Sequence, residues 1–168
     1  MTEIVLDQPH HVTVGYVGVP GDRTFYVQAE DDHQRVTLLL EKVQAAGIGD
    51  LIAQLLVRID DAPATDWDRQ AFAIREPVEP AFRVGDIQVG LDPDQGRFLI
   101  ELEELTPEDE EGDVVRFSID QDQARRLAAH IDEVVGQGRP RCRLCGRPTE
   151  ADGSHVCPST NGHGTLTR

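Results

Sequence analysis

His11-Val12-Thr13-Val14-Gly15-Tyr16-Val17, then Pro20-Gly21, then Arg23-Thr24-Phe25-Tyr26-Val27-Gln28-Ala29: the reading of this stretch decides the fold. Both apolar runs are rich in β-branched and aromatic residues, and the first alternates along its length, as a strand with one buried face does. Pro-Gly between them is the pair a type II turn prefers, because proline presets φ and glycine reaches positive φ. The two runs therefore form a hairpin, and Arg35 to Leu40 adds a third strand. From Glu41 the period changes. Val43, Ala46, Ile48, Leu51, Ile52, Leu55, Leu56 and Ile59 recur at the spacing of an amphipathic helix. Gly47 and Gly49 each weaken that helix by up to about 1 kcal/mol relative to alanine, so a kink or a later start is expected.

The same order recurs downstream. Phe82 to Leu91 reads as a strand, a turn follows around Pro93 to Gly96, and Arg97-Phe98-Leu99-Ile100-Glu101-Leu102 returns. Val114 to Ile119 is the third strand. A helix starts near Asp120, a suitable N-cap, and buries Ala124, Leu127, Ala128, Ile131, Val134 and Val135. Arg23-Thr24-Phe25 answers Arg97-Phe98, and Glu41-Lys42-Val43-Gln44-Ala45 answers Asp120-Gln121-Asp122-Gln123-Ala124. The expected fold class is α+β: duplicated βββα units, an antiparallel sheet or two with two covering helices, plus a small C-terminal zinc knuckle. The body is 1–138, with halves at about 9–60 and 80–138 and a linker at 61–79, and the tail is 139–168. In the linker, Glu76-Pro77-Val78-Glu79-Pro80 is expected to be extended, and packing of Trp67 on the body is favoured over the alternative that it anchors a partner.

All three cysteines lie in the tail, in the pattern C-x2-C-x9-H-x-C-x5-H. A structural zinc takes four thiolate or imidazole ligands in a tetrahedron, and Cys3His is a standard set. Cys142, Cys145 and Cys157 supply the sulfurs. His155 is favoured as the fourth ligand, because two residues from Cys157 in extended backbone it shares the same face. His163 is the alternative. With only Leu144, Val156 and Leu166 as large apolar side chains, the tail cannot fold by burial alone, so zinc would supply the stabilisation. Three cysteines leave one unpaired in any disulfide scheme, and their spacing suits a metal better.

Charge is unevenly placed. Residues 1–138 hold 11 Lys and Arg against 29 Asp and Glu, a formal −18, and 139–168 hold five Arg against two acids, +3, which together give −15. Such a body repels nucleic acid and anionic lipid. Only the arginines around the knuckle could offset that, so nucleic-acid binding is disfavoured. No basic-then-apolar leader and no membrane-length apolar run is present, and a cytoplasmic setting is expected, consistent with free thiols. Glycines at Gly18 and Gly21 join two strands rather than entering a helix, so they form a turn and no phosphate loop. Glu103 to Asp113 lacks the spaced ligands of a calcium loop and reads as a solvated connection. No serine sits in a nucleophile elbow, and His10, His11, His33 and His130 are scattered, His130 being expected as a surface or half-buried residue of the second helix. The enzyme reading therefore has no positive support.

Arg23-Thr24-Phe25 after Pro-Gly, the Glu41-Lys42-x-Gln44 helix start, and Glu76-Pro77-Val78-Glu79-Pro80-x-Phe82-Arg83-Val84-Gly85 resemble the actinobacterial family DUF3090. So do Gly138-Arg139-Pro140-x-Cys142-x-x-Cys145-Gly146, His155-Val156-Cys157-Pro158 and Asn161-Gly162. The resemblance covers nearly the whole chain. An aromatic often stands in that family where this chain has His163, which favours His155 further. The resemblance implies an actinobacterial cytoplasmic protein without assigned activity. For partners it implies a chromosome-partitioning ATPase, or the phosphomutase-like or phosphoinositide-kinase-like protein encoded nearby. The function expected is that of a non-catalytic regulatory or protein-interaction protein with a structural zinc. The alternative is an enzyme or small-anion-binding protein with a pocket between the halves, using Arg23, Lys42, Arg83 and Arg97.

Overall fold

The computed structural model describes residues 1–59, 66–137 and 142–144. The expectations that fall on 60–65, 138–141 and 145–168 lie outside the described residues. Seven strands and two helices follow in the order β1 (Glu3–Leu6), β2 (His11–Val19), β3 (Asp22–Glu30), β4 (Arg35–Leu40), α1 (Lys42–Val57), β5 (Val84–Asp92), β6 (Arg97–Glu104), β7 (Val114–Ile119) and α2 (Gln121–Gly136). The fold is α+β, with two sheets and two helices. Gly21 takes φ 92°, the conformation the Pro-Gly turn needs. The 16-residue α1 runs through both of its glycines without the anticipated late start.

β2, β3 and β4 form one antiparallel sheet, and the other has the order β1-β7-β6-β5. β1, which carries too few residues for a local pattern, is an addition to the sequence reading. It pairs in parallel with β7, Val5 facing Arg116 and Leu6 facing Phe117. Residues 81–83 splice the two sheets: Ala81 N–H donates to Thr37 O at 2.8 Å, Leu39 N–H to Phe82 O at 2.9 Å, and Leu105 N–H to Arg83 O at 2.8 Å. Leu39 and Arg83 thereby make a parallel bridge, as β1 does with β7.

One core joins both sheets and both helices. Val14, Phe25, Val27 and Leu38 from one sheet meet Phe98, Ile100, Leu102 and Ile119 from the other, with Ile48 and Ile52 of α1 and Leu127 and Ile131 of α2 above them. The helices pack on each other, α1 also touching β5 and α2 touching β2. Each helix therefore lies against the first strand of the other three-strand run. Two glutamines fix this crossing. Gln44 Oε1 accepts the Glu41 N–H at 2.8 Å while its Nε2 donates to Val84 O and Gly85 O. Gln123 Oε1 accepts the Asp120 N–H at 3.0 Å while its Nε2 donates to Pro9 O at 2.9 Å. Each closes its own helix start and ties it to backbone leading into the opposite run, which satisfies orphan helix-end donors and distant carbonyls together.

Candidate functional site

Between Val43 and Val57, α1 carries one charged residue, Asp50, in a chain that is 28% charged. Ala45, Ile48, Ile52 and Leu56 use one stripe of the helix for the core. A second stripe, Val43, Ala46, Asp50, Ala53 and Val57, faces outward at spacings of three and four. Val43 is 78% exposed and Val57 65%. The core has already taken what one amphipathic helix needs, so this second apolar stripe is surplus to folding. It borders a groove of about 160 Å³ lined by Ala46, Gly49, Asp50 and Ala53 of α1 and by Ala128, Ile131, Asp132 and Val135 of α2. Gly49 lets the helices close: a Cβ there would stand 2.8 Å from Ile131 Cγ2. Asp50 and Asp132 are the only charged residues of the lining, both exposed, with no ion pair among the described residues.

A second cavity, of about 190 Å³, lies where residues 66–76 cross β2 and approach α2. This strap includes a 3-10 turn at Arg69–Phe72. It covers the outer face of the three-stranded sheet, where Gln28 Oε1 accepts the Arg75 N–H at 2.9 Å and Gln28 Nε2 donates to Arg75 O at 2.8 Å. Thr13 Oγ1 donates to Phe72 O, and Ile74 packs so close to Gly15 that a Cβ would meet it at 2.7 Å. β2 is consequently buried on both faces over His11–Gly15.

His130 stacks on Phe72, ring centroids 4.6 Å apart, and its Nε2 donates to Val14 O at 3.1 Å. That leaves Nδ1 as an acceptor, without a partner among the described residues. Burial holds this imidazole below the usual histidine range. His130 is 7% exposed, deeper than the surface or half-buried position expected from the sequence, since its helix face looks onto the edge of β2 and the strap. Beside it, Arg69 Nε donates to both Glu133 carboxylate oxygens at 2.7 and 3.0 Å, and this holds the Glu133 carboxyl below its ordinary range. Trp67 is half-buried, with the Arg69 guanidinium 5.9 Å from its ring centroid. The cleft reads as a joint: its cation, anion and imidazole hold the strap.

The four residues considered for anion binding fall in separate surroundings. Arg23 stacks on Tyr16, 4.1 Å from the ring centroid, and its NH1 donates to Gln137 O at 2.7 Å. Arg97 donates to Ser118 Oγ at 3.0 Å and to Ser118 O at 2.9 Å. Arg83 pairs with Glu41, next to the exposed Lys42. Only Lys42 and Arg83 are brought to one place, and none of the four lines either cavity. The Glu103 to Asp113 connection stays largely solvated, beside an acidic hollow of about 480 Å³.

Of the zinc ligands named from sequence, Cys142 alone is described. It is buried, and its Sγ accepts the Leu144 N–H at 3.4 Å. Cys145, His155, Cys157 and the alternative His163 lie outside the described residues. Among the described residues no group of three or more His, Cys, Asp or Glu is placed to hold a metal, and no helix is long and apolar enough to cross a membrane. The signal that sequence reading missed was the 3-4 spacing of the second stripe on α1, hidden because its apolar residues merge with those of the core stripe.

No curated protein and no solved structure matches the chain. A family model described as "Protein of unknown function (DUF3090)" matches residues 4–157, nearly the whole length, and the chain therefore belongs to the DUF3090 family.

Proposed function

We propose that this protein is a non-catalytic interaction module that docks another protein on the α1/α2 face and carries a structural zinc in its C-terminal tail. The observation that carries the docking reading is the exposed 3-4 stripe of α1, Val43 to Val57, left over after the core is filled. An exposed apolar face rimmed by polar residues is a mark of a protein-interaction site. The engagement of Arg23, Arg83 and Arg97 by groups of the same chain favours this reading over an anion pocket between the halves.

The zinc reading is supported by the Cys/His spacing and by the Leu144 N–H on the Cys142 sulfur, since a backbone amide so placed also stabilises a metal-bound thiolate. A duplicated βββα origin is supported by the repeated element order and by the paired roles of Gln44 and Gln123. The cytoplasm is the compartment that suits this reading.

The partners to try first are the partitioning ATPase and the phosphomutase-like and kinase-like neighbours that the family resemblance implies. Each is tested in purified form against the wild-type chain and Ala53→Trp, which fills the groove from an exposed position. Binding of one of them, weakened at least tenfold by Ala53→Trp, is expected. Binding that Ala53→Trp leaves unchanged moves the interface elsewhere, and no binding by any of the three refutes these partners. For the zinc, Cys142→Ser is expected to lose the stoichiometric metal of the purified protein while its body melts within a few degrees of wild type. Retained metal would remove Cys142 from the site.

A further inference from the structure

We propose that the occupant of the α1/α2 groove is a basic amphipathic helix, with a lysine or arginine inside its apolar stripe that meets Asp50 and Asp132. This rests on the docking reading above and adds the chemistry of the partner.

The spacing states the shape. Val43, Ala46, Asp50, Ala53 and Val57 are separated by three, four, three and four residues, and Ala128, Asp132 and Val135 by four and three. A 3-4 alternation keeps side chains in one seam against a neighbouring helix, the pattern of helices that pack knobs into holes. Both seams border one groove. Half of its lining is alanine or glycine (Ala46, Gly49, Ala53 and Ala128), so a third helix can approach closely and bring the large side chains itself. Val43 and Val57 give apolar contact towards the two ends of the α1 seam.

The charges state the partner's sign. In each seam the residue between the flanking apolar side chains is an aspartate. Covering a carboxylate with an apolar surface and no counter-charge is unfavourable, and the same carboxylate becomes favourable against a positioned cation. Other acids of α2 already have theirs: Asp122 pairs with Arg126 and Glu133 with Arg69. Asp50 and Asp132 have none among the described residues, so a docked helix has to supply it. A second copy of this chain would set aspartate against aspartate, on chains that each carry −15. An anionic lipid surface or a nucleic acid would meet the same repulsion.

The probe is an 18-residue synthetic helix with leucines on one face, a lysine within that face and lysines on the other, followed by fluorescence anisotropy at physiological salt. Its counterpart carries glutamate in place of every lysine. Against the full-length protein the lysine peptide is expected to bind and the glutamate peptide to fail. Ala53→Trp should weaken binding at least tenfold, and Asp50→Asn with Asp132→Asn should do the same. Glu108→Gln with Glu110→Gln, which removes equal charge from the β6–β7 loop, should stay within twofold of wild type. Absence of lysine-peptide binding overturns the proposal, as does equal binding of the glutamate peptide. Equal weakening by the two double variants would reduce it to diffuse attraction and also overturn it. If a variant melts well below wild type, Ala53→Gln replaces it and is held to the same expectation. A protein partner that Ala53→Trp displaces, together with a lysine peptide it does not, would sink the basic helix and leave the docking module standing. Failure of both would sink both.

Discussion

Burial pushes the His11 imidazole down to about 4, with the Arg75 guanidinium adding to the effect. Unfolded, the same group titrates near 6.5. Between those values the unfolded chain binds the extra proton, so stability falls as pH drops from about 6.5 towards 4. The loss at pH 5 from this residue is about 2 kcal/mol, and the lowered His130 adds in the same direction. Thermal melts from pH 7.5 to 5 should show the decline, and His11→Gln should flatten it. An identical slope in His11→Gln would mean that another group governs it. Neither histidine could be placed from sequence. His11 alternates with valines as an exposed strand residue would, and the strap that buries it is a connection without periodicity. The proposed zinc ligands could be named from sequence because four of them stand within sixteen residues, where spacing is itself the argument.

Helix α1 contains two glycines with opposite consequences. A Cβ at Gly47 meets nothing within 4 Å among the described residues, so Gly47→Ala should stabilise by about 0.5–1 kcal/mol through helix propensity alone. At Gly49 the new methyl stands 2.8 Å from Ile131 Cγ2 and 3.3 Å from its Cβ, inside a filled core. Gly49→Ala should therefore destabilise, by roughly 1 kcal/mol or more, as overpacking outweighs propensity. Urea midpoints of the two variants against wild type give both signs, and a stabilised Gly49→Ala would show that the helices can part freely. Strands and helices with strong local periodicity, β2 to β4 and β5 to β7 with the helix after each, could be read from the chain. β1 could not: four residues carry no pattern, and its partner is 111 positions away.

At the scale of the molecule, each three-strand run depends on the other. α1 rests on β5, α2 on β2, and β1 completes the sheet of the second run. Chains 1–79 and 80–168 expressed separately should each lack a cooperative melt, and mixing them should restore one. Cooperative unfolding of either alone would mean that the crossing contacts are dispensable. This mutual dependence was invisible in sequence, where repeated elements suggest independent units and say nothing of which helix covers which strand.

The parallel pairing of β1 with β7 also sets a timetable for synthesis. Glu3 leaves the ribosome 111 residues ahead of its partner Val114, a lag of roughly 6 to 20 seconds at ordinary elongation rates. Throughout that interval a nascent chain displays Ile4 and Val5 with their backbone unpaired. β1 is thus among the last strands to be protected, and like-charge repulsion between such acidic chains opposes the association of neighbouring nascent copies until the sheet closes.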